Sequence, residues 1–243
     1  MKNSLVIIPT YNEVENVSLM IETIFSISEE AHILIVDDSS PDGTAQKVKV
    51  LQNQYNEKLF LLERQEKRGL GTAYIAGFQW GLTKSYDYFF QIDCDFSHNP
   101  KDLIRLYEVA LDKDVDLCIG SRYISGINVV NWPMSRVLLS YCASIYVRLI
   151  TGMKVKDPTA GFKLYKRSVL ESINLNNVEF IGYAFQIEMK FRAWKKQFKI
   201  FELPIIFKDR ERGVSKLNSS IIKEAVFGVL KMKLKSIFSS SYQ

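Results

Sequence analysis

A chain of 243 residues, 47% hydrophobic and 24% charged, has the make-up of a soluble globular protein, with core enough for one large domain or two small ones. Its formal charge of +5 suits an anionic substrate or a membrane surface and gives no argument for nucleic acid. Cys94, Cys118 and Cys142 form no C-x-x-C pair, which argues against a disulfide framework or zinc knuckle and for a reducing, cytoplasmic compartment.

In chain order, "SLVIIPT" is a short apolar strand followed by a helical pattern from about Asn16 to Ser28. The apolar run is too short and too early for a signal-peptide core. "HILIVDD" is the second strand, with "SPDGT" as turn and N-cap of a helix reaching toward Tyr55. "LFLLER" is a third strand, and "KRGLGTAYIAGFQWGL" a glycine-containing turn opening a helix. "YFFQID" is a fourth strand, "NPKDLIRLYEVAL" a helix started by Pro100, and "DLCIGSR" a fifth strand. Then come a greasy helix in "WPMSRVLLSYCASIYVRLITG", a turn, short strand and helix start in "DPTAGFKLYKRSVL", and an amphipathic helix in "YAFQIEMKFRAWKK". An extended pair broken by Pro204 and a helical tail complete the chain. The greasy uncharged tract Val137 to Val147, bracketed by Arg136 and Arg148, falls well short of the ~20 apolar residues of a membrane span.

Continuous apolar strands separated by helices predict a mostly parallel sheet covered on both faces, with the ligand outside the strands' carboxyl ends. Polar residues gather there: "TYNE" after strand one, Asp37 and Asp38 after strand two, Asp93 and Asp95 after strand four, Ser121 and Arg122 after strand five. In an extended strand Asp93 and Asp95 share a face, and two crowded carboxylates stay ionised when a cation such as Mg²⁺ or Mn²⁺ holds both. The alternative is a solvated strand end. Asp37 and Asp38 read either as a polar stop or as acceptors for nucleoside N–H and hydroxyl groups. The "RGLG" turn, Arg68–Gly71, reads as backbone brought close to a ligand. For His98, turn capping is the favoured role.

The blocks "IIPTYNEVENV", "IVDDSSPDGT", "KRGLGTAYIAGF", "DCDFSHNP", "GSRY", "DPTAGFKLYKRSVL", "GYAFQIEM" and "FKDRERGVSKL", in this order from about Leu5 to Leu217, resemble the family-two glycosyltransferases, closest to the dolichyl-phosphate or polyprenyl-phosphate mannose synthases. The resemblance implies the GT-A (nucleotide-diphospho-sugar transferase) fold over 1–217, with an amphipathic tail, 218–243, in the same structural unit. It implies transfer of a hexose, typically mannose from GDP-mannose, to a lipid phosphate with Mg²⁺ or Mn²⁺. By the same resemblance Pro9, Tyr11, Glu13, Asp37 and Asp38 hold the nucleoside, and Asp93, Asp95 and Ser97 the metal. Arg122, Arg136 and Ser140 grip the acceptor phosphate, and Arg210 and Lys216 close over the phosphates. The sequence departs from many relatives at Ser97, where they carry Gln, and at Cys94, where they carry Ala. Serine is the poorer ligand.

The acceptor chemistry is consistent with these residues. A phosphate monoester, with a second pKa near ~6, is a nucleophile that needs positioning by arginines more than a general base. An in-line displacement with inversion is expected. Glu188 reads as a sugar-hydroxyl contact or as a partner of Lys190 or Arg192. From Lys216 to the end, five lysines against one glutamate give +4, interleaved with apolar residues at helical spacing. That pattern fits an interfacial helix or a core-packed terminal helix with a solvated lysine face. The greasy helix after the arginines favours peripheral membrane attachment. Another donor such as UDP-glucose, a glycan or protein acceptor, or a non-catalytic nucleotide-sugar-binding protein are the competing readings.

Overall fold

The computed structural model describes residues 1–209 and 219–238. Its first elements are β1 (Ser4–Thr10), α1 (Val17–Ile27), β2 (His32–Asp37), α2 (Thr44–Gln52), β3 (Leu59–Glu63), α3 (Leu70–Leu82), β4 (Tyr88–Gln91), α4 (Asp102–Asp112) and β5 (Leu117–Ser121). They are followed by β6 (Val129–Val130), α5 (Met134–Thr151), β7 (Lys163–Lys166), α6 (Arg167–Ser172), α7 (Tyr183–Lys195), β8 (Ile200–Pro204), β9 (Phe207–Lys208) and α8 (Ser219–Phe238).

Seven strands form one sheet in the order β3-β2-β1-β4-β7-β5-β8. All its pairings are parallel except those of β7, which runs antiparallel to β4 and β5. The chain steps from β1 outward to β3 and then returns to place β4 on the other side of β1. Strand order therefore reverses between β1 and β4, and the crevice beyond their carboxyl ends is where an α/β sheet takes its ligand. β6 and β9 pair as a separate parallel ribbon.

Successive strand residues alternate between two cores because side chains alternate along a strand. Val6, Ile8, Ile33, Ile35 and Phe90 pack with Met20 and Ile24 of α1 and Leu103 and Leu106 of α4. Leu5, Ile7, Leu34, Val36 and Phe89 pack with Tyr74 and Phe78 of α3 and Phe185 and Phe191 of α7. Burial on both faces is why these strands read as unbroken apolar runs.

The second half departs from its sequence pattern at α7. The spacing predicts one solvated face, yet Glu188, Lys190 and Arg192 are all buried. Arg192 donates to Glu188 at 2.7 and 2.9 Å and to the Asn177 carbonyl at 2.6 Å, while Lys190 donates to the carbonyls of Pro158, Ala160 and Gln186 at 2.9, 2.6 and 3.2 Å. Each charge carries its own hydrogen-bonding shell inward, which is what makes such burial tolerable. Glu188 also accepts from the backbone N–H groups of Glu179 and Phe180. It is therefore a fully enclosed partner of Arg192, and the sugar-hydroxyl reading is corrected.

Helix α8 lies against α5 and α7, with Val229 and Met232 in the core. Three of its lysines find partners: Lys231, exposed, pairs with Glu179 at 3.0 Å, Lys235 pairs with the same carboxylate, and Lys233 donates to the Thr151 carbonyl at 3.2 Å. The outer surfaces are apolar, with Leu138, Leu139, Ile145 and Leu149 of α5 and Phe227, Leu230, Leu234 and Ile237 of α8 exposed. No helix among the described residues is long and apolar enough to cross a membrane. All three cysteines are free; Cys94 and Cys118 are buried, and Cys142 stands exposed on α5.

Candidate active site at the strand ends

β4 stops at Gln91, so Asp93 and Asp95 lie beyond the strand, with Cys94 and Asp95 in a turn. The pleat of a strand that reaches Asp93, expected from the sequence, is not what gathers the two acids. Asp93 leads into a turn that holds Cys94 and Asp95 and continues into Phe96, which stands in the left-handed region at φ 57°. The Tyr74 hydroxyl donates to Asp93 at 2.9 Å, and its pKa is raised by burial first and then by Asp93 and Asp95. The buried Cys94 thiol is pushed up by burial and then by Glu13, Asp95 and Asp93.

Ser97 serves this turn through its backbone, its N–H donating to Asp95 at 3.1 Å and its carbonyl accepting from Lys208 N–H at 3.1 Å. His98 is a core residue and not a turn cap. Its ring stacks on Phe162 at 5.1 Å and meets Phe207 edge-on at 5.0 Å. Burial lowers its pKa to about 4, so the ring is neutral near pH 7. In front of Asp93 stands Gly161, where an added Cβ would lie 3.5 Å from the Asp93 Oδ2 atom.

Among the described residues no cluster of three or more His, Cys, Asp or Glu side chains is arranged to hold a metal. Two carboxylates without a third protein ligand are the donor set of a hard cation whose shell is completed by phosphate and water oxygens, and do not suit zinc. Asp93 and Asp95 fit Mg²⁺ or Mn²⁺ on those grounds.

On the β1–β2 side the expected nucleoside acids are engaged internally. Asp37 is buried and accepts from the Thr10 hydroxyl at 2.8 Å, the Ser40 hydroxyl at 2.6 Å and Ser40 N–H at 2.9 Å. It organises the loop. Asp38 takes Arg64 bidentately at 2.6 and 2.7 Å, and Arg64 also donates to Thr72 at 2.9 Å. Pro9 lies one residue before the end of β1 in register with Val36, Lys67 sits over the Tyr11 ring at 4.1 Å, and Glu13 accepts from Asn16 at 2.9 Å. The Arg68–Gly71 turn is drawn close to the start of α7. Gly71 N–H donates to the Ile181 carbonyl at 2.8 Å, and an added Cβ at Gly71 would lie 2.8 Å from the Phe185 ring.

On the far side, Arg122 donates bidentately to Asp157 at 2.8 and 2.7 Å and to Thr159 at 2.7 Å, with only 8% of its surface exposed. Burial alone would raise the Asp157 pKa, but the Arg122 charge and its hydrogen bonds bring it below the ordinary value. Arg122 is a buried, paired cation. Arg136, more exposed, donates to both oxygens of Asp209 at 2.9 Å. Ser140, one turn along α5, accepts from the Tyr123 hydroxyl at 2.8 Å. Arg210 and Lys216 lie outside the described residues.

The family described as "Glycosyl transferase family 2" matches residues 5–173, the stretch that carries every rim acid named above. The chain belongs to that family. It is 44% identical over 234 residues to the polyprenol monophosphomannose synthase of Mycolicibacterium smegmatis, covering 96% of this chain and 88% of that one. It is 42% identical over 230 residues to the undecaprenyl-phosphate mannosyltransferase of Micrococcus luteus, covering 95% and 93%. Among solved structures, glucosyl-3-phosphoglycerate synthase from Mycobacterium tuberculosis in complex with Mn²⁺, UDP and glucosyl-3-phosphoglycerate superposes with a TM-score of 0.67 at 16% identity, covering 97% of this chain and 79% of that one. The same enzyme with Mn²⁺, UDP and phosphoglyceric acid gives 0.69 at 16% identity, covering 97% and 78%. At that identity the likeness concerns the GT-A fold alone.

Behind this glycosyltransferase rim lies a polar cluster that the sequence reading missed. Lys163, the first residue of β7 and fully buried, donates to the Gln186 side-chain carbonyl, which also accepts from Gln91 at 2.7 Å. Burial and then Lys190 drive the Lys163 pKa well down, while Asp93 pulls it up. The signal available was a lysine breaking the apolar alternation of "GFKLY", but nothing local distinguishes it from a surface residue.

Proposed function

We propose that the protein transfers mannose from GDP-mannose to a polyprenyl phosphate at a membrane surface, with inversion at the sugar carbon. Supporting this reading above all is the similarity to two polyprenyl-phosphate mannosyltransferases along almost the whole chain, well past residue 173 where the family match ends.

The geometry supports a division of labour along the crevice. Asp38 and Arg64 brace the β2 loop on the nucleoside side, and Tyr11 and Glu13 follow the end of β1. Asp93 and Asp95 would hold a divalent cation, which when bound supplies positive charge to the leaving diphosphate. Arg136 orients the acceptor phosphate, and buried Arg122 fixes the loop behind it through Asp157. A phosphate-monoester oxygen forms the new bond to the sugar's anomeric carbon, the bond from that carbon to the diphosphate oxygen breaks, and the electron pair leaves with the nucleoside diphosphate. No base is needed, because the nucleophile is already ionised. Exposed leucines, isoleucine and phenylalanine on α5 and α8 support docking on the lipid surface through apolar contact, since Lys231 and Lys235 are held by Glu179.

The test is incubation of the full chain with labelled GDP-mannose, Mg²⁺ or Mn²⁺ and vesicles carrying polyprenyl phosphate. The expected product is a mild-acid-labile, β-linked mannosyl lipid. Asp95→Ala should abolish it without changing the melting temperature, and Leu149→Glu combined with Leu234→Glu should reduce vesicle co-sedimentation. Label transfer that is equal with UDP-glucose, or independent of lipid phosphate, would overturn the reading.

A further inference from the structure

Trp132 precedes α5 in the segment Asn131-Trp132-Pro133 and was not singled out by its sequence. Its indole is shared by two guanidinium groups, Arg136 at 4.1 Å from the ring centroid and Arg122 at 5.7 Å. Phe207 meets the same ring at 5.2 Å and 67°, and is itself 5.7 Å from the Arg122 guanidinium. The indole face therefore fixes where Arg136 stands, by cation–π attraction and by contact. Its edge is harder to account for. Trp132 Nε1 is buried with no hydrogen-bond partner, and so is Arg136 Nε in the same stack. A buried donor left unpaired costs about 1–3 kcal/mol, so two donors side by side need a reason. The N-terminus of α5, which has no side-chain cap, opens two residues further on and favours negative charge.

Two unpaired N–H donors, a stacked arginine and a helix N-terminus fit a compact anion with several acceptor oxygens, which a phosphate monoester supplies. We propose that Trp132 binds the acceptor phosphate: its indole N–H donates to a phosphate oxygen while its ring face positions Arg136. This rests on the lipid-phosphate reading above and adds to it a residue with two separable parts. Asp209 neutralises Arg136 while the acceptor is absent. The incoming dianion then competes with that carboxylate for the guanidinium.

The two parts come apart by substitution. Trp132→Phe keeps a ring face and removes the N–H; Trp132→Leu removes both. With a short-chain isoprenyl monophosphate as acceptor, Trp132→Phe should raise the acceptor KM about tenfold, the loss of one hydrogen bond to a charged group, and Trp132→Leu should raise it further. The KM for the nucleotide sugar should stay unchanged in both. In a Trp80→Phe, Trp194→Phe background, the remaining indole's fluorescence should respond to isoprenyl monophosphate and not to the corresponding alcohol. Inorganic phosphate should give a weaker response of the same sign.

An unchanged acceptor KM in Trp132→Phe, an equal rise in both KM values, or a fluorescence response to nucleoside diphosphate in place of the monophosphate would each overturn the proposal. Should the unsubstituted protein fail to use isoprenyl monophosphate at all, the functional reading falls instead. The fluorescence titration still decides whether Trp132 meets a phosphate.

Discussion

On the β3-β2-β1-β4 side of the sheet the ionised groups stand at strand ends and in loops, whereas on the β7-β5-β8 side several lie inside the core. Asp37, Asp38 and Arg64 hold loop backbone and one another at the rim. Lys163, Lys190, Glu188, Arg192 and Asp157 are enclosed; the cations are answered by a carboxylate, an amide or carbonyls and the two carboxylates by guanidinium groups. A charge at a rim can exchange its partner for a ligand. Removing the partner of an enclosed charge strands it, and that difference in cost is measurable.

The largest effect is expected at the pair with least contact with water. Glu188→Ala leaves Arg192 buried and deprives two backbone N–H groups of their acceptor. The loss should be about 3–5 kcal/mol, or a fall of roughly 10 °C in melting temperature. A fall of only a degree or two would mean that α7 opens to solvent and that the two sides do not differ.

Lys190 gives a smaller, pH-dependent effect. Burial, opposed by Asp157 and assisted by Arg122, lowers its pKa from 10.5 to about 7. The unfolded chain holds the proton up to its ordinary value while the folded chain releases it near pH 7. Lys190 therefore costs stability below pH 7, and this cost is relieved as pH rises toward 10.5. Urea midpoints should show a rising contribution between pH 7 and 9.5 that Lys190→Met removes. Lys163, shifted the same way, retains its own share.

The smallest effect belongs to the first half. Lys49 and Glu63 form a 2.6 Å pair with side chains about half exposed, at 51% and 48%. Lys49→Ala should change stability by less than ~1 kcal/mol, and salt should erase even that. A loss comparable to that at Glu188 would end the contrast.

The strand-end acids were legible because an apolar run that stops at a carboxylate in an α/β sheet can point to only one edge. The mostly parallel sheet followed from the same runs, whereas the strand order that puts β1 beside β4 appears only in the folded chain. Their partners were not legible. Asp38 finds Arg64 26 positions away and Arg122 finds Asp157 35 positions away, so pairing appears only when the chain is folded. The extended reading of Asp93 and Asp95 failed because the strand ends two residues early and the chain is already in a turn at Cys94 and Asp95. Helix α7 misled for a third reason. Periodicity treats every charge as solvated, and cannot see the carbonyls of Pro158 and Ala160 waiting for Lys190.

The uneven placement of the three cysteines offers a practical handle. Burial holds the Cys118 thiol up at about 12 and Cys94 well above its ordinary range, so neither presents a thiolate to a reagent. Cys142 is exposed on α5, beside the apolar side chains proposed to meet lipid. Maleimide chemistry on the unaltered protein should therefore deliver a single fluorophore or spin label to that helix. Quenchers placed at known depths in a bilayer would then report how far α5 sinks, with no engineered cysteine required.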